Sequence, residues 1–163
     1  IFSTDDLKEI EWSVLCMIAG GFALGVGMDK TGLAKTLVEA IPFNEWPVIA
    51  GIIGSGLLCW ALSTFISNSA ATALMVPILA AVGKGMGSML DETGGIGTLL
   101  IGIALSASFA MALPVSTPPN AIAYSTGLIT STQMARTGII VGIISLILGY
   151  SLLFFLGNIG YFA

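Results

Sequence analysis

Apolar positions along this chain come in long runs, and charge punctuates them. Glu11 and Asp29 bracket one run, Glu45 and Lys84 a second, Glu92 and Arg136 a third, and a fourth follows Arg136. A helix that crosses a bilayer needs about 20 apolar residues, with a lower limit of about 17. The first and last runs each admit one such helix, and the middle two admit two segments apiece. Residues 12–28 are predicted to form a spanning helix, in which Gly21 and Gly25 make a small-xxx-small pair that lets another helix approach closely. In residues 29–43, Leu33, Leu37, Val38 and Ile41 repeat at helical spacing among Lys30, Lys35 and Glu39. That pattern predicts a short amphipathic helix lying in the membrane interface, ended by Pro42, with Trp46 as an interfacial anchor. Gly85 to Gly97, rich in Gly and Ser around Asp91-Glu92, reads as a loop. Residues 137–161 form the last predicted span, with a second small pair at Gly138 and Gly142.

Both middle runs are interrupted by polar or helix-breaking residues. In residues 47–83 the apolar pattern gives way to Ser63-Thr64-Phe65-Ile66-Ser67-Asn68-Ser69 and Thr72. The part after this group, Ala70 to Val82, is about 20 Å long as a helix, short of a hydrocarbon core of about 30 Å. The spacing therefore predicts a re-entrant helical hairpin turning at Ser67-Asn68-Ser69; two full spans joined by an aqueous turn are the alternative. In residues 97–132, an apolar helix-like stretch to Leu113 meets Pro114-Val115-Ser116-Thr117-Pro118-Pro119-Asn120. Prolines lack the N–H a helix needs. The reading is a helix broken in mid-membrane, resuming from Ala121 with Asn120 as N-cap and free N–H groups at the new helix start. The fold class is an all-α polytopic membrane protein: spanning helix, interfacial helix, re-entrant hairpin, broken helix, spanning helix.

Composition narrows the function. Of 163 residues, 56% are hydrophobic and only 9% charged, where a soluble domain carries about 25% charged residues, so a soluble enzyme is excluded. A net charge of −4 without a basic cluster argues against nucleic-acid binding. The chain has no His, which removes Ser-His triads and His-ligated zinc, and its carboxylates lie outside the apolar runs, so an intramembrane enzyme is disfavoured too. Cys16 and Cys59 lie in apolar runs and read as buried small hydrophobes. The chain opens on Ile1 and a polar stretch with no basic n-region, so it is not read as a signal peptide but as a piece of something longer or a processed product.

A hairpin tip and a helix break at one depth are how secondary transporters build substrate sites. Unwound carbonyls and hydroxyls suit a hard cation such as sodium, and helix N-termini suit an anion. The available side-chain oxygens are those of Ser63, Ser67, Asn68, Ser69, Ser116 and Thr117. Ser106, Ser108, Ser125 and Ser145 read instead as bonds between neighbouring helices. No Asp, Glu, Lys, Arg or His falls within the two broken runs, which disfavours proton coupling. An anion channel, or an anion transporter or exchanger without sodium coupling, carrying sulfate or a metalloid anion, is the rival reading.

Ser67-Asn68-Ser69, followed by Leu113-Pro114-Val115-Ser116-Thr117-Pro118-Pro119-Asn120-Ala121, resembles the divalent-anion/sodium symporter family, the sodium-coupled di- and tricarboxylate and sulfate transporters. Gly20-Gly21-Phe22-Ala23-Leu24-Gly25 and Thr31-Gly32-Leu33-Ala34 resemble its glycine-rich helix and amphipathic arm. The resemblance implies one half of an inverted-repeat transporter, the C-terminal repeat, in a homodimer of the plasma (inner) membrane, with the N-terminal repeat missing from this chain. It implies that Ser67, Asn68, Ser69, Thr117 and Pro118 bind a small anionic substrate such as succinate or citrate. It further implies a sodium ion at Ser63, Ile66 (through its carbonyl), Asn68 and Ser116. The chain departs from the family pattern at Ser69, where Thr is typical, and at Ser116, where the family has a small residue.

Overall fold

The computed structural model describes residues 46–162 continuously and scattered positions between 12 and 36. The expected spanning helix 12–28 and interfacial helix 29–43 thus lie largely outside the described residues. Within the described part the chain is helical: α1 (Val48–Phe65), α2 (Asn68–Met86), a 3₁₀ turn (Gly87–Thr93), α3 (Gly95–Ser108), α4 (Pro118–Ser125) and α5 (Ser131–Asn158). Helices α1 and α5 are long and apolar enough to cross a membrane.

The contacts fix the course of the chain. α1 and α2 meet at Ile66-Ser67, and the 3₁₀ turn after α2 comes back against α1, so the pair is antiparallel. α3 then retraces α2: Gly83 near the end of α2 packs on Ile96 and Leu99 near the start of α3. At the other end, Ser63 in the last turn of α1 bonds the Ala107 carbonyl in the last turn of α3. α5 runs along α3 and the 3₁₀ turn and touches α1. Gly138 and Gly142 lie against residues 109–112 after α3, and Gly157 lies against Thr93. α5 is about 42 Å long at 1.5 Å per residue, and residues 109–112, just after α3, lie against positions two to three turns inside it.

Two elements differ from expectation. Gly85–Gly97 is not a loop. α2 continues to Met86, a 3₁₀ turn follows, and α3 starts at Gly95 behind the left-handed Gly94 (φ 91°). Packing supplies what glycine-rich sequence lacks in intrinsic helix preference, since Gly83 sits tightly against α3. α5 begins at Ser131, before Arg136, because Thr130 and Gln133 form a reciprocal cap: each side-chain oxygen accepts the other's backbone N–H, at 3.3 and 3.0 Å.

The core joins Ile52, Cys59, Ile66, Met75, Leu79, Leu99, Ile103, Leu146 and Leu153. Outside it, α5 exposes Ile139, Ile140, Ile143, Ile144, Ile147, Leu148 and Leu152. A monomer in water rarely shows a continuous apolar face of this extent; it suits a helix solvated by lipid. In lipid, helices are held by close packing and hydrogen bonds more than by apolar transfer. The inner face of α5 is built that way: the Tyr150 hydroxyl lies 3.0 Å from Ser106 Oγ and donates to the Ile52 carbonyl at 3.4 Å, tying α5 to α3 and α1. Ser106 thus bonds a neighbouring helix as expected, whereas Ser108 and Ser125 turn back onto carbonyls of their own segments. Cys59 is buried, but Cys16 is exposed, against expectation.

Candidate functional site

Four helix ends converge: the C-terminal ends of α1 and α3 and the N-terminal ends of α2 and α4. The first break is narrow. Ile66 is extended (φ −121°, ψ 172°) and buried, and Ser67 follows it. Ser67 caps α2, its Oγ accepting the Ala70 N–H at 3.2 Å while its carbonyl accepts Ala71 N–H at 3.0 Å. Asn68 and Ser69 are therefore not turn residues but the first two residues of α2. Their N–H groups precede the first intrahelical bond and point out of the helix start.

The second break, residues 109–117, is wider. Pro114, Pro118 and Pro119 cannot donate, and a residue preceding proline avoids helical angles; Thr117 is accordingly extended (φ −143°, ψ 150°). Here the structure corrects the expected start of the second half. α4 begins at Pro118, not Ala121, and Thr117, not Asn120, is its N-cap, with Oγ1 accepting Asn120 N–H at 3.4 Å. The prolines occupy the first two helical positions, where a missing N–H costs nothing. Free N–H groups expected at this helix start are consequently absent: two positions are prolines, and the N–H groups of Asn120 and Ala121 go to Thr117. Backbone donors at the site come from α2.

The first half also ends earlier than Leu113, at Ser108. The carbonyls that this unwinding releases need donors, and three of them find side chains. Trp60 Nε1 donates to Phe109 O at 3.2 Å, and Asn120 Nδ2 donates to Met111 O at 3.0 Å and to Leu113 O at 3.2 Å. Neither role was read from sequence.

Between the breaks, oxygens gather. Ser63, fully buried, donates from Oγ toward Asn68 Oδ1 at 2.6 Å and toward Ala107 O at 3.1 Å. Ser116, 1% exposed, donates to the Thr64 carbonyl at 3.0 Å. Of the expected sodium ligands, Ser63 and Asn68 are thus in direct contact, and Ser116 is tied to the residue next to Ser63. Of the expected substrate residues, Ser69 and Pro118 are exposed at the starts of their helices, and the hydroxyls of Ser67 and Thr117 are committed to capping. One Ser63 proton faces two acceptors, so the cluster has more lone pairs than hydrogens. Such a cluster is suited to a small cation. With Oδ1 accepting from Ser63, the Asn68 side chain keeps Nδ2 as a donor.

The sodium:sulfate symporter transmembrane region matches residues 5–158. Solute carrier family 13 member 2 of Mus musculus is 34% identical over 140 residues, 85% of this chain and 23% of that protein. The sodium-dependent dicarboxylate transporter SdcS of Staphylococcus aureus is 36% identical over 144 residues, 86% of this chain and 26% of that protein. An uncharacterized transporter of Haemophilus influenzae is 30% identical over 143 residues, 86% of this chain and 30% of that protein. The chain spans about a quarter of the length of these relatives. Since the family match covers nearly all of its residues, the chain belongs to the sodium:sulfate symporter family.

Proposed function

We propose that this chain is the second repeat of a sodium-coupled transporter of small divalent anions, di- or tricarboxylates such as succinate or citrate. The observation that carries the reading is the acceptor-rich cluster of Ser63, Asn68, Ala107 and Thr64 oxygens at the meeting of four helix ends. Sodium takes Ser63 Oγ, the Ile66 carbonyl, Asn68 Oδ1 and Ser116. The anion lies on the outer side of Asn68, where Asn68 Nδ2 and the N–H groups of Asn68 and Ser69 donate to a carboxylate, and Ser67, Thr117 and Pro118 complete the wall. The relatives named for sodium-dependent dicarboxylate transport support this choice of cargo.

The charge balance requires the coupling. No Lys or Arg occurs between Glu45 and Lys84 or between Glu92 and Arg136. Two negative charges brought out of water without compensation face a prohibitive desolvation cost. Sodium one residue deeper supplies that compensation. We further propose that the hairpin is re-entrant, because the apolar part of its second arm, Asn68–Ala80, is shorter than a full span. A matching N-terminal repeat completes the site, and the transporter works as a homodimer in the plasma membrane.

The test is uptake of labelled succinate into proteoliposomes holding the complete two-repeat transporter, with an inward gradient of sodium or of choline. Saturable uptake in sodium alone is expected. Equal uptake in both salts, or non-saturable flux, would favour the uncoupled transporter or the channel.

A further inference from the structure

We propose that Asn120 is the positioning residue of the broken helix: its amide sets the shape of the break and thereby delivers Ser116 to the cation cluster. This rests on the sodium-coupled reading above.

Prolines explain why residues 109–117 are not helical, but not which irregular path they take. A stretch with freed carbonyls has many conformations available, and fixing each residue costs conformational entropy. Asn120 selects one of them. From the third position of α4 it reaches back over the break, and Nδ2 donates to Met111 O at 3.0 Å and to Leu113 O at 3.2 Å. An Asn Nδ2 has two hydrogens, and both are used. The two acceptors lie on either side of Ala112, which is buried, so the amide clamps the loop at its centre. The clamp is anchored at its own end as well, since the Asn120 N–H is held by the Thr117 cap.

Ser116 lies inside the ring that this clamp closes. Its N–H donates to Leu113 O at 3.2 Å, the same carbonyl that Asn120 holds, and its Oγ donates across to Thr64 O at 3.0 Å. Leu113 O is therefore a shared hinge. Loss of the amide donors frees Leu113, and with it the bond that orients the Ser116 backbone toward α1. Asn120 does not reach Ser63, Asn68 or Thr64 in these contacts; it acts on the cluster only through Ser116.

The experiment uses the complete transporter in proteoliposomes and measures succinate uptake against sodium concentration for Asn120→Asp, Asn120→Gln, Ser116→Ala and the Ser116→Ala/Asn120→Asp pair. Asp keeps the shape and removes both donors; Gln keeps the donors and displaces them by one methylene. Losing two hydrogen bonds predicts a sodium half-saturation raised about tenfold or more for Asp, with a smaller rise for Gln. For the two Asn120 single variants the uptake rate at saturating sodium and succinate, per folded transporter, stays within about twofold of wild type, since neither loses a group assigned to cargo. The paired variant is no worse than Asn120→Asp alone, because both act through one residue. Wild-type sodium dependence in either Asn120 variant would overturn the proposal. So would a lower rate with unchanged half-saturation, which is what a purely structural role produces, or full additivity in the pair. If Asn120→Asp does not accumulate, Asn120→Gln decides by the same measure. Wild-type transporter without sodium dependence would instead overturn the underlying reading.

Discussion

Asn68→Ala is expected to abolish sodium-dependent anion binding, the largest effect of any single substitution in the site. In the proposed site Asn68 is the one residue assigned to both the cation and the anion. Its Oδ1 accepts from buried Ser63 at 2.6 Å, and its backbone N–H opens α2. Removing the amide leaves Ser63 with only the Ala107 carbonyl and, in the proposed site, removes one cation ligand and one carboxylate donor. Unpaired polar groups cost about 1–3 kcal/mol each, so two such losses reduce affinity by about a hundredfold or more. Asn68→Asp separates the two roles. It keeps an oxygen for the cation and replaces the Nδ2 donor with negative charge beside the anion, so anion binding falls while sodium binding is retained or strengthened. Calorimetric titration of each ligand against both variants checks this. Anion affinity within about threefold of wild type in Asn68→Ala would remove Asn68 from the site; two donor losses predict far more.

Gly138→Ala is expected to disable transport although Gly138 is not among the proposed ligands. A Cβ there would stand 2.5 Å from Met111 O, 2.6 Å from Ala112 Cα and 2.9 Å from Ala112 N. All three are backbone atoms, so no side chain can swing aside, and either α5 or the break must move. Met111 O is also an acceptor of Asn120, so moving the break strains that clamp. Overpacking of this kind costs about 1–3 kcal/mol, and here the strain falls on the loop that carries Ser116 and Thr117. We expect a lower thermal midpoint in detergent and loss of most sodium-driven uptake. Ile147→Ala, on the exposed face of the same helix, should leave both unchanged. Full activity in Gly138→Ala would show that the close approach of α5 is unimportant to the site.

The contrast between these residues shows what the sequence disclosed. The apolar runs and their interruptions were legible because charge, proline and clustered Ser and Asn are costly at membrane depth. The segments they mark, Ser63 to Ser69 and Pro114 to Asn120, overlap the two breaks observed, Ile66-Ser67 and residues 109–117. The α4 cap was misassigned because Thr117 and Asn120 are both good capping residues. The deciding signal was present: prolines favour the first helical positions, which points to the residue before Pro118. The roles of Trp60 and Asn120 were not legible, because each depends on which carbonyls unwinding exposes and where the chain carries them. Gly138 and Gly142 read as a site for a neighbouring helix, yet they serve the approach of α5 to the unwound segment and Trp60. Small residues report close packing without naming the partner.

Equilibrium binding of succinate to the complete transporter, measured in sodium and again in choline, addresses the central claim most directly. In the proposed site cation and anion share Asn68, and no charged side chain occurs within either broken run. Sodium must then raise anion affinity, and by linkage the anion must raise sodium affinity by the same factor. The account predicts a rise of about tenfold or more in each direction, consistent with coupling of more than 1.4 kcal/mol. Succinate affinity that is identical in the two salts would contradict it.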